Sequence, residues 1–327
     1  MQNGAFYIRI LHSTASMGKQ EVPNIVHNAD QVNTILDAFA SLGHSDIDTA
    51  RCYADGTSEY ILGEVKAVTR FRISTKILAV KPGDHRPENL KRLVHESLTA
   101  LQTNKVSILY LHAPDRGTPL ELCMQGIQQL YEEGLFEEFG LSNFSPAVVK
   151  EVCEVMQKNN WIMPSVYEGL YNFLSRRVEE ELFPLLDQYH MRFHAYSPLV
   201  GGFLDPKLRH GNEQLIVKGS QFDPEFFVGK MYREWYWHPC YFEAVDRVHD
   251  TVQQFGMSAF EAAMRWIVFH SNLDTGRGDG VIIGGSTCDE YLQNLSWTTA
   301  GPLPEVVLQA MEKAWTSTSA ECRSPWM

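Results

Sequence analysis

Positive charge is scarce in this chain, its cysteines lack metal-ligand spacing, and no apolar run is long enough to cross a membrane. Each absence removes a class of function. Lysine and arginine number 28 against 40 aspartates and glutamates, a net charge of −12, and no basic run is interleaved with aromatics. That balance argues against nucleic acid or an anionic membrane as the main partner and leaves small molecules. The six cysteines (Cys52, Cys123, Cys153, Cys240, Cys288, Cys322) include no CxxC or CxxxC pair, which suits free thiols in a reducing compartment better than a zinc site or a disulfide framework. The apolar run between Met1 and Leu11 is too short for a signal sequence with a cleavage site, so a cytoplasmic location is expected. A GxGxxG motif after a strand is absent, as is any long Gly/Ser/Pro linker.

What is present is an alternation of short apolar runs with helix-period segments. Strands are expected at Phe6–Leu11, around Ile47, and at Arg70–Ser74, Val106–Leu111, Phe136–Leu141, Ser165–Tyr167, Arg192–Tyr196 and Val281–Ile283. Between them, helices are expected at Asp30–Ser41, Ser58–Val68, Pro87–Leu101, Pro119–Glu133, Pro146–Gln157, Arg176–Tyr189, Phe242–Phe255 and Ala259–His270, with Pro304–Thr316 closing the chain. Eight βα units in 327 residues predict a single α/β domain over 1–327, a (β/α)8 TIM barrel. The rhythm breaks from Leu199 to Pro239, a loop rich in glycine and aromatics (Phe203, Phe222, Phe226, Phe227, Tyr232, Trp235, Tyr236, Trp237). It reads as a lid over the site or as an extra subdomain on the barrel rim. Ser317–Met327 reads as a tail free to fold over the barrel mouth.

Active sites of such barrels lie at the C-terminal ends of the strands. Asp48 ends the second strand, Tyr53 sits in its loop, Lys76 follows the third and His112 the fourth. Singly, these read equally as a turn-forming acid, a packed aromatic, a rim cation and a core histidine. Together they converge on one patch. A buried lysine there needs an acid, which Asp48 supplies, and its charge favours ionisation of a neighbouring phenol. Tyr53 then becomes a general acid toward a carbonyl oxygen, with His112 orienting the substrate.

The stretches Gly43–Ala50 and Tyr53–Gly56, then Lys76, Tyr110–Asp115, Gly140–Phe144, Tyr171-Asn172, Ala195–Leu199 with Gly201-Gly202, and Ile282–Gly284 leading to Asn294-Leu295, resemble those of the aldo-keto reductases. Within that superfamily the chain is most similar to the aflatoxin-aldehyde-reductase-like subgroup. The resemblance implies a tetrad of Asp48, Tyr53, Lys76 and His112, and hydride transfer from NADPH to an aldehyde or ketone. It further implies Ser142 and Asn143 on the carboxamide, Tyr196 stacked on the nicotinamide, Ser197, Leu199 and Gly201 along the pyrophosphate, and Gly284, Ser286, Thr287 and Asn294 around the adenosine phosphate. The redox-neutral use of the same tetrad, in dehydration or cyclisation, and a non-catalytic cofactor-binding subunit stand as alternatives.

Three departures surround the cofactor. Glu168 stands where the family usually has glutamine against the carboxamide, and an ionised carboxylate there is expected to favour the oxidised ring. Gln221 and Glu290 stand where relatives often carry arginine, or a neutral amide at the second position. NADH use therefore stays open. Met17, Trp235, Trp237 and Trp326 are expected to wall an apolar pocket for a small-molecule carbonyl substrate that is uncharged, aromatic or a secondary metabolite. No metal is expected, and a homodimer is left open.

Overall fold

The apolar runs pair side by side in chain order, and in the computed structural model they close into a barrel of eight parallel strands, each bonded to the next and the last to the first. The structure describes residues 8–326 except 20–25, 27, 209–210, 212–215, 217, 219–220 and 226. The expected strand start at Phe6 and Tyr7, the lid residue Phe226 and the terminal Met327 lie outside them. The strands are β1 (Arg9–Ser13), β2 (Asp46–Asp48), β3 (Arg72–Ile77), β4 (Val106–Leu111), β5 (Phe136–Ser142), β6 (Pro164–Leu170), β7 (Arg192–Tyr196) and β8 (Gly280–Ile283).

Side chains alternate between two surroundings. Ile73 and Ile77, Leu109 and Leu111, and Phe139 and Leu141 join the main core between the barrel and its helices, while Ile108, Tyr110 and Val166 form a separate small cluster. Asp48, Ser74, Lys76, Ser142, Glu168 and His194 make much of the remaining interior polar, and Leu11 and Ile282 are its apolar members on β1 and β8. This corrects the expected third strand: Lys76 lies within β3 rather than after it, because Ser74 and Lys76, which interrupt the apolar pattern, point into that polar interior. At the opposite end, Arg192 pairs with Glu138 at 2.7 Å and Arg72 with Glu138 at 3.2 Å and with Asp46 at 3.4 Å.

The helices are α1 (Ala29–Ser41), α2 (Ser58–Glu64), α3 (Pro87–Ala100), α4 (Leu120–Glu132), α5 (Pro146–Lys158), α6 (Val178–Glu181), α7 (Phe183–Gln188), α8 (Phe227–Tyr236), α9 (Pro239–Gln253), α10 (Ala259–Phe269), α11 (Cys288–Trp297) and α12 (Glu305–Thr318). Asn28, Ser145, Ser258 and Thr287 cap α1, α5, α10 and α11 by accepting a backbone N–H. The single helix expected over Arg176–Tyr189 is two. Pro184 has no N–H to give and crowds the preceding turn, so the chain breaks at Leu182.

The long aromatic segment folds on itself as a rim subdomain built around α8. Phe203 packs on Phe242 at 4.9 Å between ring centroids, Trp237 on Phe242 at 5.0 Å, and Phe222 on Tyr232 at 5.7 Å. The C-terminal tail runs along the same rim. Arg177 donates to the Cys322 carbonyl, Arg323 pairs with Glu234 at 3.3 Å, and Trp326 donates its indole N–H to Glu181 at 3.2 Å.

Candidate active site

Strand register decides which polar groups meet inside the barrel. Asp48 pairs with Ser74, and Lys76 lies two residues further along β3, so both point inward. Across the barrel Ser142, Glu168 and His194 share one register on β5, β6 and β7. Lys76 Nζ donates to Asp48 Oδ1 at 2.6 Å, to the Thr49 carbonyl at 3.1 Å and to the Tyr53 hydroxyl at 3.1 Å. Glu168 Oε1 lies 3.3 Å from the same nitrogen. Asp48, Lys76 and Glu168 are 1%, 0% and 2% exposed.

Tyr53 reaches this nitrogen because the chain behind it turns sharply. Ala54, Asp55 and Gly56 follow with φ of 46°, 50° and 83°, three left-handed residues in a row, of which the two non-glycines store of order 1–3 kcal/mol each. The turn is held by Arg51, whose Nη1 donates to the Gly56 carbonyl at 2.7 Å and to Glu59 at 3.2 Å. The phenol thus returns over the lysine. His112 stands edge-on to the Tyr53 ring, with centroids 6.0 Å apart at 82°, and its carbonyl accepts from Asn143 Nδ2 at 2.9 Å.

Burial sets the charge states. It lowers His112 to about 3, with the Lys76 charge adding to the effect, so the imidazole is neutral. It also pushes Tyr53 well above the ordinary phenol value, against the pull of Lys76. The expected net lowering of Tyr53 is therefore overturned: the cation acts in the expected direction, but desolvation is the larger effect. Tyr53 holds its proton beside a charge able to receive the phenolate. For Lys76 burial acts downward, and Asp48 and Glu168 more than reverse it. Glu168 itself is pushed well above the carboxylate range by burial and by Asp48. That overturns the expectation of an ionised Glu168 at the nicotinamide; a neutral acid carries both a donor and an acceptor.

Polar side chains and left-handed backbone follow β5 to β8 at the same end of the barrel. Asn143 Oδ1 accepts from the Tyr196 hydroxyl at 2.9 Å, and its Nδ2 lies 3.1 Å from Ser142 Oγ. Ser197, Val200, Gly201 and Gly202, flanking Leu199, have φ of 55°, 56°, 63° and 88°, a run whose backbone N–H groups can line a concave anion site. A Cβ on Gly201 would fall 2.1 Å from the Tyr232 ring and 2.9 Å from Gln221 Oε1. After β8, Asn294 Nδ2 donates to the Gly284 carbonyl at 2.8 Å, and the Thr287 hydroxyl caps α11 on the N–H of Glu290 at 3.1 Å. Donors and close-approach glycines fit the nicotinamide and diphosphate of a bound cofactor. The α11 N-terminus fits a further phosphate poorly, because Glu290 Oε2 already accepts the N–H of Ser286 and Asp289 stands beside it.

A model of the Aldo/keto reductase family matches residues 14–316. The chain belongs to the aldo/keto reductase family. An aldo-keto reductase of Pseudocercospora fijiensis is 39% identical over 288 residues, which cover 86% of this chain and 96% of the relative. Human aflatoxin B1 aldehyde reductase member 2 is 39% identical over 297 residues, 87% of this chain and 82% of the relative. Aldo-keto reductase pigE of Monascus ruber is 34% identical over 306 residues, 90% of each. This aldo/keto reductase is an oxidoreductase acting on carbonyl groups, and enzymes of its family use nicotinamide cofactors.

The structure brings together the reductase's four expected tetrad residues, but it does not gather the expected substrate wall. Met17 is 2% exposed and packs its sulfur 3.4 Å from His12 Nε2, inside the core. Trp237 is stacked under Arg233 at 4.1 Å within the rim subdomain, so it packs the lid. Trp235 lies 5.3 Å from Tyr232, and Trp326 leans on Glu181; both remain partly open to solvent. Asn172, Tyr232 and Tyr236, which carry no assigned role in the sequence reading, hold the loop after β7. Asn172 Nδ2 donates to the Ser197 carbonyl and to the Tyr236 hydroxyl, each at 3.1 Å, and Ser197 Oγ meets the Tyr232 hydroxyl at 2.5 Å. The Tyr-Asn pair after β6 was the available signal.

Proposed function

We propose that the protein reduces an aldehyde or ketone on an uncharged substrate, aromatic or of secondary-metabolite size, with NADPH or NADH, in the cytoplasm. The observation that carries this reading is the single ammonium of Lys76 bonded at once to Asp48 and to the Tyr53 hydroxyl, with neutral His112 edge-on to the same ring. Tyr53 donates its proton to the carbonyl oxygen, Lys76 stabilises the phenolate left behind, and His112 orients the oxygen. Ser142, Asn143 and Tyr196 would hold the nicotinamide, Ser197, Leu199 and Gly201 the diphosphate, and Gly284, Ser286, Thr287 and Asn294 the adenosine end. When bound, the cofactor supplies the hydride.

Among the described residues no arginine side chain ion-pairs or hydrogen-bonds with a tetrad member, which supports an uncharged carbonyl; relatives named aflatoxin B1 aldehyde reductase support a bulky aldehyde. The acids at the α11 N-terminus support NADH binding at least comparable to that of NADPH. The test is nicotinamide fluorescence on binding, followed by nicotinamide absorbance during turnover of aromatic aldehydes and diketones. Consumption that Tyr53→Phe cuts by about 10²–10⁴-fold with binding retained supports the reading. Turnover without any nicotinamide would replace it with redox-neutral acid–base chemistry.

A further inference from the structure

The buried centre of the barrel holds one cation and two acids. Lys76 is the only cation that touches either Asp48 or Glu168 among the described residues, and it touches both. The other titratable groups around Glu168 do not add positive charge. They are the phenols Tyr53, Tyr110, Tyr167 and Tyr196, all held neutral by burial, and His194, likewise neutral, whose Nδ1 meets the Tyr110 hydroxyl at 3.0 Å. Arg192, further down the interior, is committed to Glu138 at 2.7 Å. One ammonium cannot balance two buried carboxylates.

Geometry says where the balance is made up. Glu168 Oε2 is buried and has no donor to accept from among the described residues. As an O–H it can turn toward Asp48, because the two carboxyls meet on one nitrogen, with Asp48 Oδ1 2.6 Å and Glu168 Oε1 3.3 Å from Lys76 Nζ. A contact between two carboxyl groups is attractive only with a proton between them.

We propose that Asp48 and Glu168 share a single proton beside Lys76, with Glu168 as the neutral partner, and that loss of this proton sets the alkaline limit of carbonyl reduction. The inference rests on the reductase reading for its second half. With the proton in place the centre is net neutral, and Lys76 is free to stabilise the charge that appears on Tyr53 as its proton leaves. Once the pair releases its proton to solvent, two carboxylates oppose that charge and the phenol becomes a weaker acid. Glu168 acts through Lys76 and is a positioning residue.

Difference infrared spectroscopy of the purified protein at neutral pH reads the shared proton without turnover. The C=O stretch of a protonated carboxylic acid should be lost in Glu168→Gln and equally in Asp48→Asn, because the one acid left in each variant pairs with Lys76 as a carboxylate. A band that survives either substitution overturns the sharing, as does a wild-type protein without the band. The pH profile of kcat reads the consequence. Wild-type kcat should fall about tenfold per pH unit above a single midpoint, and in Glu168→Gln that midpoint should move up by at least one unit, with KM for the cofactor following neither change. An unmoved midpoint overturns the second half. Absence of turnover in the wild type would count against the reductase reading, and the infrared result would still decide the proton.

Discussion

The carboxylate of Glu290 accepts the backbone N–H of Ser286 at 3.0 Å, across the first turn of α11. The exposed N-terminus of a helix favours an anion by about 0.3–1 kcal/mol, and here the chain's own side chain takes that place. A 2′-phosphate on the cofactor would meet it as a like charge. Replacing Glu290 with Gln should improve NADPH binding relative to NADH by about two- to five-fold, the same energy read as an affinity ratio, and Glu290→Arg by more. Fluorescence titrations with both cofactors give the ratio. An unchanged ratio in both variants would place the adenosine ribose away from this helix.

The double engagement of Lys76 makes an unusual pattern of stability losses. Removing one partner of a buried ion pair costs about 3–5 kcal/mol, because a charge is left without compensation. Asp48→Asn should cost less, under about 2 kcal/mol, since Glu168 then ionises and takes over the ammonium. Removing both acids should restore the full penalty of about 3–5 kcal/mol, so the double variant loses more than its singles together. Denaturant unfolding of the four proteins measures the cycle. Additive losses would mean that Glu168 does not stand in for Asp48.

Much of this arrangement is legible in the sequence, and the limits have physical causes. Alternating apolar runs gave all eight strands and their order, because outward-facing residues such as Ile73 and Leu109 must be apolar to meet the helices. The inward residues carry no such signature. Ser74, Lys76, Glu168 and His194 are polar within strands, so the apolar pattern ends the third strand at Ser74, short of Ile77, and carries no sign of the contact between Glu168 and Lys76. Counting parity from Asp48 through the register would have placed Lys76 inside β3. Parity gives no depth across the barrel, and only closure of the sheet brings β6 to β3. Likewise the aromatic segment is legible by composition, while its collapse around Phe203 depends on α8, a helix whose sequence signal is weakened by Gly229 within it.

Gly201 ties the lid to the proposed diphosphate groove. Its φ is +63°, and a methyl group would overlap the Tyr232 ring that meets Ser197. Gly201→Ala should push Tyr232 away and loosen the groove. The expected result is weaker cofactor binding with kcat at saturation largely kept, and a stability loss above about 1 kcal/mol from the left-handed backbone alone. Titration and thermal unfolding check the two parts. Loss of kcat without loss of affinity would assign Tyr232 to the chemistry instead.

His12 makes the fold sensitive to acid. It lies on β1 against Phe39 at 5.7 Å and Tyr291 at 4.5 Å between ring centroids, 1% exposed, and its Nδ1 has no partner among the described residues. Burial lowers it from 6.5 to about 3. Between those values the unfolded chain takes up a proton that the folded one refuses, so stability falls as pH drops through that window, by about 1.4 kcal/mol per unit for this imidazole. His112 and His194 act in the same direction. Glu168 and Glu59 act oppositely: their folded values are raised, so above the unfolded carboxylate value the folded state binds the extra proton and gains as pH falls. Comparing slopes isolates His12 from these. In His12→Gln the plot of unfolding free energy against pH from 6.5 to 4 should be shallower than wild type by about 1.4 kcal/mol per unit, whatever the offset between the curves. Parallel plots would mean that His12 is protonated in the folded barrel.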